Sequence, residues 1–112
     1  MNAHGTGTSN DAVEAAGIRA AFGADAERVL VSSSKGQIGH TLGAAGAFEA
    51  IVCARVLAEG RIPPTAGLAT PDPACDGLDL VRGTARARVV EVAVSSSSGF
   101  AGTNAALVLG RA

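Results

Sequence analysis

Val29-Leu30-Val31-Ser32-Ser33-Ser34-Lys35-Gly36-Gln37-Ile38-Gly39-His40-Thr41-Leu42-Gly43-Ala44-Ala45-Gly46 changes character twice within one short span. The apolar, β-branched start, bounded by serines, reads as a buried strand. Its end delivers Lys35 into a glycine-rich loop that carries His40, and a long apolar segment from Thr41 to Glu59 follows. Glu49 and Arg55 are the only charges of that segment before its last turn, Gly60 closes it, and Pro63-Pro64 prevents its return. It therefore reads as a helix, and one apolar on all sides is expected to be buried on more than one. Strand, glycine loop and helix in succession point to an α/β layer.

Upstream, a second glycine-rich run, Asn2-Ala3-His4-Gly5-Thr6-Gly7-Thr8, precedes a helix expected from Asp11 to about Phe22 and stopped by Gly23. Asp11 with Glu14 three residues later has the spacing of a capping box. Downstream, residues 61–80 hold all four prolines and read as loop. Val89–Val94 and Ala105–Leu109 then read as an antiparallel strand pair joined by a glycine-containing turn. Only Met1 stands before the first glycine run, so the strand that should lead into it is all but missing. The expectation is a piece that exposes sheet edge and apolar surface until a partner chain completes it.

The composition excludes several classes. The 112 residues, 47% of them hydrophobic, suit one domain or part of one, and the core must be built without Trp or Tyr. A formal charge of -1 with scattered basic residues gives no electrostatic reason to expect nucleic acid. No uninterrupted apolar run reaches the roughly 18 residues of a bilayer span, so no membrane association and a cytoplasmic location are expected. Cys53 reads as a buried thiol and Cys75 as an incidental loop cysteine, with neither metal-site spacing nor a disulfide framework. The loop around Lys35 lacks the order of a phosphate-binding loop, and no G-x-G-x-x-G opens a helix after a strand.

The two glycine-set histidines, the only ones in the chain, carry the chemistry. A histidine without bulky neighbours can turn its ring into a cavity while the backbone passes close behind. A third such run follows near the end, Ser98-Gly99-Phe100-Ala101-Gly102-Thr103-Asn104-Ala105.

In this order the three runs resemble the C-terminal part of the β-ketoacyl-[acyl carrier protein] synthases, the decarboxylating condensing enzymes of fatty acid and polyketide synthesis. The resemblance runs from Asn2 to about Leu109. It implies part of a thiolase-like α/β fold, a mixed sheet packed with helices, with residues 1–112 as the two-histidine fragment of the domain. It puts His4 and His40 on the two histidines of a Cys-His-His set whose N–H groups stabilise the enolate left when malonyl thioester loses carbon dioxide. It implies that Thr6 and Thr8 hold the pantetheine arm, where the alternative is local capping of the next helix. It pairs Lys35 with Glu49 beside the histidines, although such residues are otherwise often solvated. Phe100 becomes the gate of the acyl pocket and an oxyanion-hole donor. No cofactor is implied beyond the phosphopantetheine of the acyl carrier protein that carries the substrates. The implied partners are that carrier protein and the N-terminal part bearing the nucleophilic Cys, in a dimeric assembly. Two positions depart from the family's Phe-Gly-Phe-Gly-Gly-Thr-Asn: Ser98 stands for the first Phe and Ala101 for a Gly. The rival readings are a non-catalytic, chain-length-factor-like partner subunit and a degenerate fragment without a stable fold.

Overall fold

A computed structural model describes residues 1–112. Helix α1 (Asn10–Phe22) is followed by a 3-10 segment (Gly23–Arg28), strand β1 (Leu30–Val31) and the short helix α2 (Lys35–Ile38). A 3-10 turn (Leu42–Ala44) leads into α3 (Ala45–Glu59), and then come β2 (Arg61–Ile62), β3 (Asp79–Leu80), β4 (Arg86–Ala87), β5 (Val92–Ser98) and β6 (Asn104–Gly110).

Residues Met1–Ala3 form a short central segment of the sheet, here called the stub. Asn2 donates its N–H to Val94 O (2.7 Å) and accepts from Ser96 N (3.0 Å) on one side. On the other, Ala3 N donates to Ser32 O (2.7 Å) and Ser32 N to Met1 O (3.0 Å). Both bridges at Asn2 are parallel. β1 pairs in parallel with β3, and β5 pairs antiparallel with β6 in an unbroken register from Val92↔Gly110 to Ser98↔Asn104. The result is a mixed sheet in the order β3-β1-stub-β5-β6, with Met1–Ala3 at its centre. A separate antiparallel pair, β2 with β4, lies outside that sheet.

Alternation along the strands assigns the two faces. Val31 and Ala3 pack with Ile18 of α1. Leu30 packs with Ile62 and Val81, with Val56 of α3 against them, and Ala93 packs with Cys53 and Leu57 of α3. The architecture is thus α/β/α, one helix on each face of the sheet. Its core consists of small clusters of Ala, Val, Leu, Ile and Cys, as the scarcity of aromatics requires.

Several boundaries differ from the sequence reading, each for a physical reason. The helix expected from Thr41 begins only at Ala45, because Leu42 adopts a positive φ of 52° that breaks the α run. Within this chain α3 is covered along one i,i+4 row, Ala45, Glu49, Cys53 and Leu57, while Phe48 and Ile51 face away from the sheet. The segment 61–80 is not all loop, since β2 and β3 each place two residues in a ladder whose partners are remote in sequence. The strand expected at Val89–Val94 starts later and runs on through Ser95–Ser98. Serines suggest a turn, yet here they stay paired because their small side chains fit beneath the helices.

Candidate functional site

The His4 loop leaves the central stub and is held from below by α1. Glu14 Oε1 accepts the N–H of His4 (2.8 Å) and Glu14 Oε2 that of Gly5 (2.9 Å). Asp11 Oδ1 accepts from Thr6 N (3.0 Å) and Asp11 Oδ2 from Gly7 N (2.9 Å). Two carboxylates one helical turn apart therefore satisfy four consecutive loop amides. This corrects the capping-box expectation: Ser9 occupies the N-cap position, its own side chain makes no capping bond, and the acidic pair serves the loop instead. Four adjacent N–H groups in a glycine-rich turn need acceptors and the next carboxylates in the chain are these, a signal that does not say which carboxylate serves which amide.

From the opposite side, the buried serines Ser32-Ser33-Ser34 fix the same loop. Ser33 Oγ donates toward Gly5 O (3.1 Å), and Ser34 N donates to Asn2 Oδ1 (3.2 Å). A Cβ at Gly5, whose φ is +41°, would lie 2.6 Å from Ser33 Cβ, so only glycine fits between loop and β1. Gly36 is similarly constrained, since a Cβ there would collide with the carbonyl oxygen of Ala66.

His40 arrives from α2. Its Nδ1 accepts the N–H of Leu42 (3.3 Å), so Nε2 is the ring nitrogen left to donate. The rings of His4 and His40 meet edge to face, 5.3 Å between centroids and 88° between planes. His4 is buried (7% exposed) and His40 is open. Burial pushes the His4 imidazole below its ordinary value, and the positive charge of Lys35 pushes it further, against weaker opposing pulls from Glu14 and Glu49. The ring is therefore neutral at neutral pH. Beside it, Lys35 Nζ pairs with Glu49 Oε1, both side chains being almost wholly buried at 4% and 1% exposed. His4 Nδ1 and the second Glu49 oxygen are buried with no hydrogen-bond partner in the protein.

A cavity of about 360 Å³ opens between α1, α2 and the segment 65–80, with Thr6, Lys35 and His40 among its lining residues. Thr6 lines it and Thr8 does not. The Thr8 hydroxyl instead accepts from Asn10 N (3.3 Å), the local capping contact, and meets the Thr6 hydroxyl at 2.9 Å. Phe100 sits at the tip of the β5–β6 hairpin, 95% exposed, and makes no ring contact with either histidine. Beside it Ala101 adopts φ 60°, ψ 25°, the left-handed region in which a Cβ is strained. Cys53 is buried and Cys75 half-buried on the cavity wall, and burial raises both thiols, so neither has the environment of an activated thiolate. No group of His, Cys, Asp and Glu side chains is arranged to hold a metal ion, and no helix is long and apolar enough to cross a membrane.

Residues 1–69, which contain both histidine loops and the Lys35–Glu49 pair, match the family model for the β-ketoacyl synthase C-terminal domain. The chain belongs to the β-ketoacyl synthase family. It is similar to the 3-oxoacyl-[acyl-carrier-protein] synthase 2 of Synechocystis sp., 47% identical over 108 residues that make up 96% of this chain and 26% of that protein. It is equally similar to the ketoacyl synthase alpha subunit of the tetracenomycin polyketide synthase of Streptomyces glaucescens, 47% identical over 112 residues, 99% of this chain and 26% of the relative. Among solved structures, a type II polyketide ketosynthase in complex with its acyl carrier protein superposes with a TM-score of 0.94 at 32% identity, over 99% of this chain and 27% of that one. The fold is accordingly part of the thiolase-like ketosynthase fold, and the chain spans about a quarter of the length of the relatives it matches.

Proposed function

We propose that this β-ketoacyl synthase domain supplies the enolate-stabilising half of a decarboxylative condensation, an acyl transfer from one thioester to the α-carbon of another. The observation that carries this reading is the edge-to-face pair of a buried, neutral His4 and an accessible His40 whose Nε2 holds the donor proton. A malonyl thioester set with its carbonyl oxygen between the two rings would receive two N–H donors at one atom. When the bond between the α-carbon and the carboxylate breaks, carbon dioxide leaves and its electron pair passes through the α-carbon to that oxygen. The donors stabilise the developing charge without reorganisation. A neutral imidazole at His4 suits this task because it keeps one N–H without adding a cation that would hold the carboxylate in place. The enolate carbon then attacks an acyl thioester carbonyl, and a thiolate leaves.

That acyl group would sit on a Cys outside these 112 residues, since neither Cys53 nor Cys75 has a thiolate-favouring environment. Thr6, on the cavity wall, is the hydroxyl placed to hold a pantetheine arm, and Lys35 with Glu49 sets the field around His4. The malonyl group would be presented by an acyl carrier protein, a reading supported by the ketosynthase–carrier complex among the similar structures. Phe100, at an exposed hairpin tip, would serve as the gate of the acyl pocket. The test is decarboxylation of a malonyl thioester by the complete protein: His4→Gln and His40→Gln should each reduce the rate about 100-fold, the scale of a lost oxyanion donor. Unchanged rates in both variants would leave the pair without this role.

A further inference from the structure

A buried histidine with a chemical task usually has one ring nitrogen tied to a side chain or carbonyl that fixes the ring. His4 has no such tie, because its buried Nδ1 meets no protein partner. The orientation of its ring therefore depends on where the backbone is held. At that backbone three groups form a closed triangle: His4 N donates to Glu14 Oε1 (2.8 Å) and to Ser96 Oγ (3.2 Å), while Ser96 Oγ donates to Glu14 Oε1 (2.6 Å). The hydroxyl has one hydrogen, spent on the carboxylate, and its lone pairs face the amide, so the direction of every bond in the triangle is fixed.

We propose that Ser96 is a positioning residue for His4, its hydroxyl fastening the histidine backbone and α1 to β5. Glu14 alone would hold the loop to the helix, but only Ser96 ties both to the strand by a side chain, and Ser96 N also donates to Asn2 O (3.0 Å) two residues before the histidine. Its hydroxyl adds a third donor to Glu14, beside the amides of His4 and Gly5. The consequence for catalysis rests on the reading of the two histidines given above; the geometry does not.

The experiment compares Ser96→Ala and the isosteric pair Ser96→Thr and Ser96→Val with Ser97→Ala, which alters the neighbouring serine on the other face of β5. In the complete protein with 15N-labelled histidine, the His4 and His40 ring signals are assigned through His4→Gln and His40→Gln. Ser96→Ala and Ser96→Val should shift and broaden the His4 ring signals, and Ser96→Thr and Ser97→Ala should leave them in place, with His40 less affected throughout. Malonyl decarboxylation should fall about 10-fold in kcat with KM little changed in the two variants without the hydroxyl, the signature of lost alignment rather than lost binding. Wild-type His4 signals in Ser96→Ala, or the same change in Ser96→Thr as in Ser96→Val, would overturn the proposal. If no variant and not even the wild type decarboxylates, the functional reading fails, while the ring signals still decide the role of Ser96.

Discussion

Lys35 and Glu49 offer the sharpest energetic test, because nearly all of both side chains is out of water. A buried pair of this kind is balanced, its mutual attraction offsetting the desolvation of two charges. Removing one partner leaves the other charge buried and alone, at a cost of about 3–5 kcal/mol. Against the total of roughly 5–15 kcal/mol that holds a domain together, that is about a fifth or more of its stability. Lys35→Met and Glu49→Met should each lower the folding equilibrium by about 100-fold or more in urea unfolding. The double variant, with two apolar side chains in contact, should recover at least about 2 kcal/mol over either single one. The His4 ring gives an independent readout: Lys35→Met removes a cation that depresses its pKa and should raise it, whereas Glu49→Met should move it down. Single variants that cost under about 1 kcal/mol, the worth of an exposed pair, would refute the argument, as would strict additivity in the double variant.

Ala101→Gly should stabilise the β5–β6 hairpin by about 1 kcal/mol or less, since the left-handed angles found there strain a Cβ but not glycine, offset by the greater freedom of glycine in the unfolded chain. A lower thermal midpoint in the glycine variant would contradict this. In the complete protein the same change should speed acyl loading if Phe100 swings with the turn, measured across a series of acyl thioesters. Asp11→Asn keeps one acceptor oxygen but loses the charge that holds Thr6 and Gly7. It should cost about 1–3 kcal/mol and slow malonyl decarboxylation, while Asn10→Ala on the adjacent position serves as control. Protonation supplies the last case. His4 titrates near 6.5 when unfolded and lower when folded, so as pH falls below about 6.5 the unfolded chain takes up a proton that the folded one refuses. Stability should decline over that window and this contribution should be flat above it, the difference vanishing in His4→Gln.

What was legible in the sequence was local. The strand at Leu30–Val31, the helix closed by Gly60 and the two histidine loops all announce themselves within a few residues, and the structure brings His4, His40, Lys35 and Glu49 into one place. What was not legible depends on partners far away in the chain. β2 and β4 are two residues each and have no period to read, and their pairing joins Arg61 to Ala87. Asp11 and Glu14 have true capping spacing, and only the return of the loop over the helix shows which amides they serve. Ser95–Ser98 look like the end of a strand because polar composition says nothing of a hydroxyl that completes a triangle with Glu14.

The central position of the Met1–Ala3 stub has a kinetic consequence. The histidine loop is tethered on one flank to a strand that lies at the far end of the chain, with a separation of 92 residues between His4 and Ser96. Contacts of such high order form late and slowly, after shorter loops have closed. The helices and the β5–β6 hairpin can form from neighbours alone, but the placing of the His4 backbone against β5 cannot. The two imidazoles should therefore become ordered only as the last long-range pairing forms, so that partly folded protein carries no preformed histidine pair.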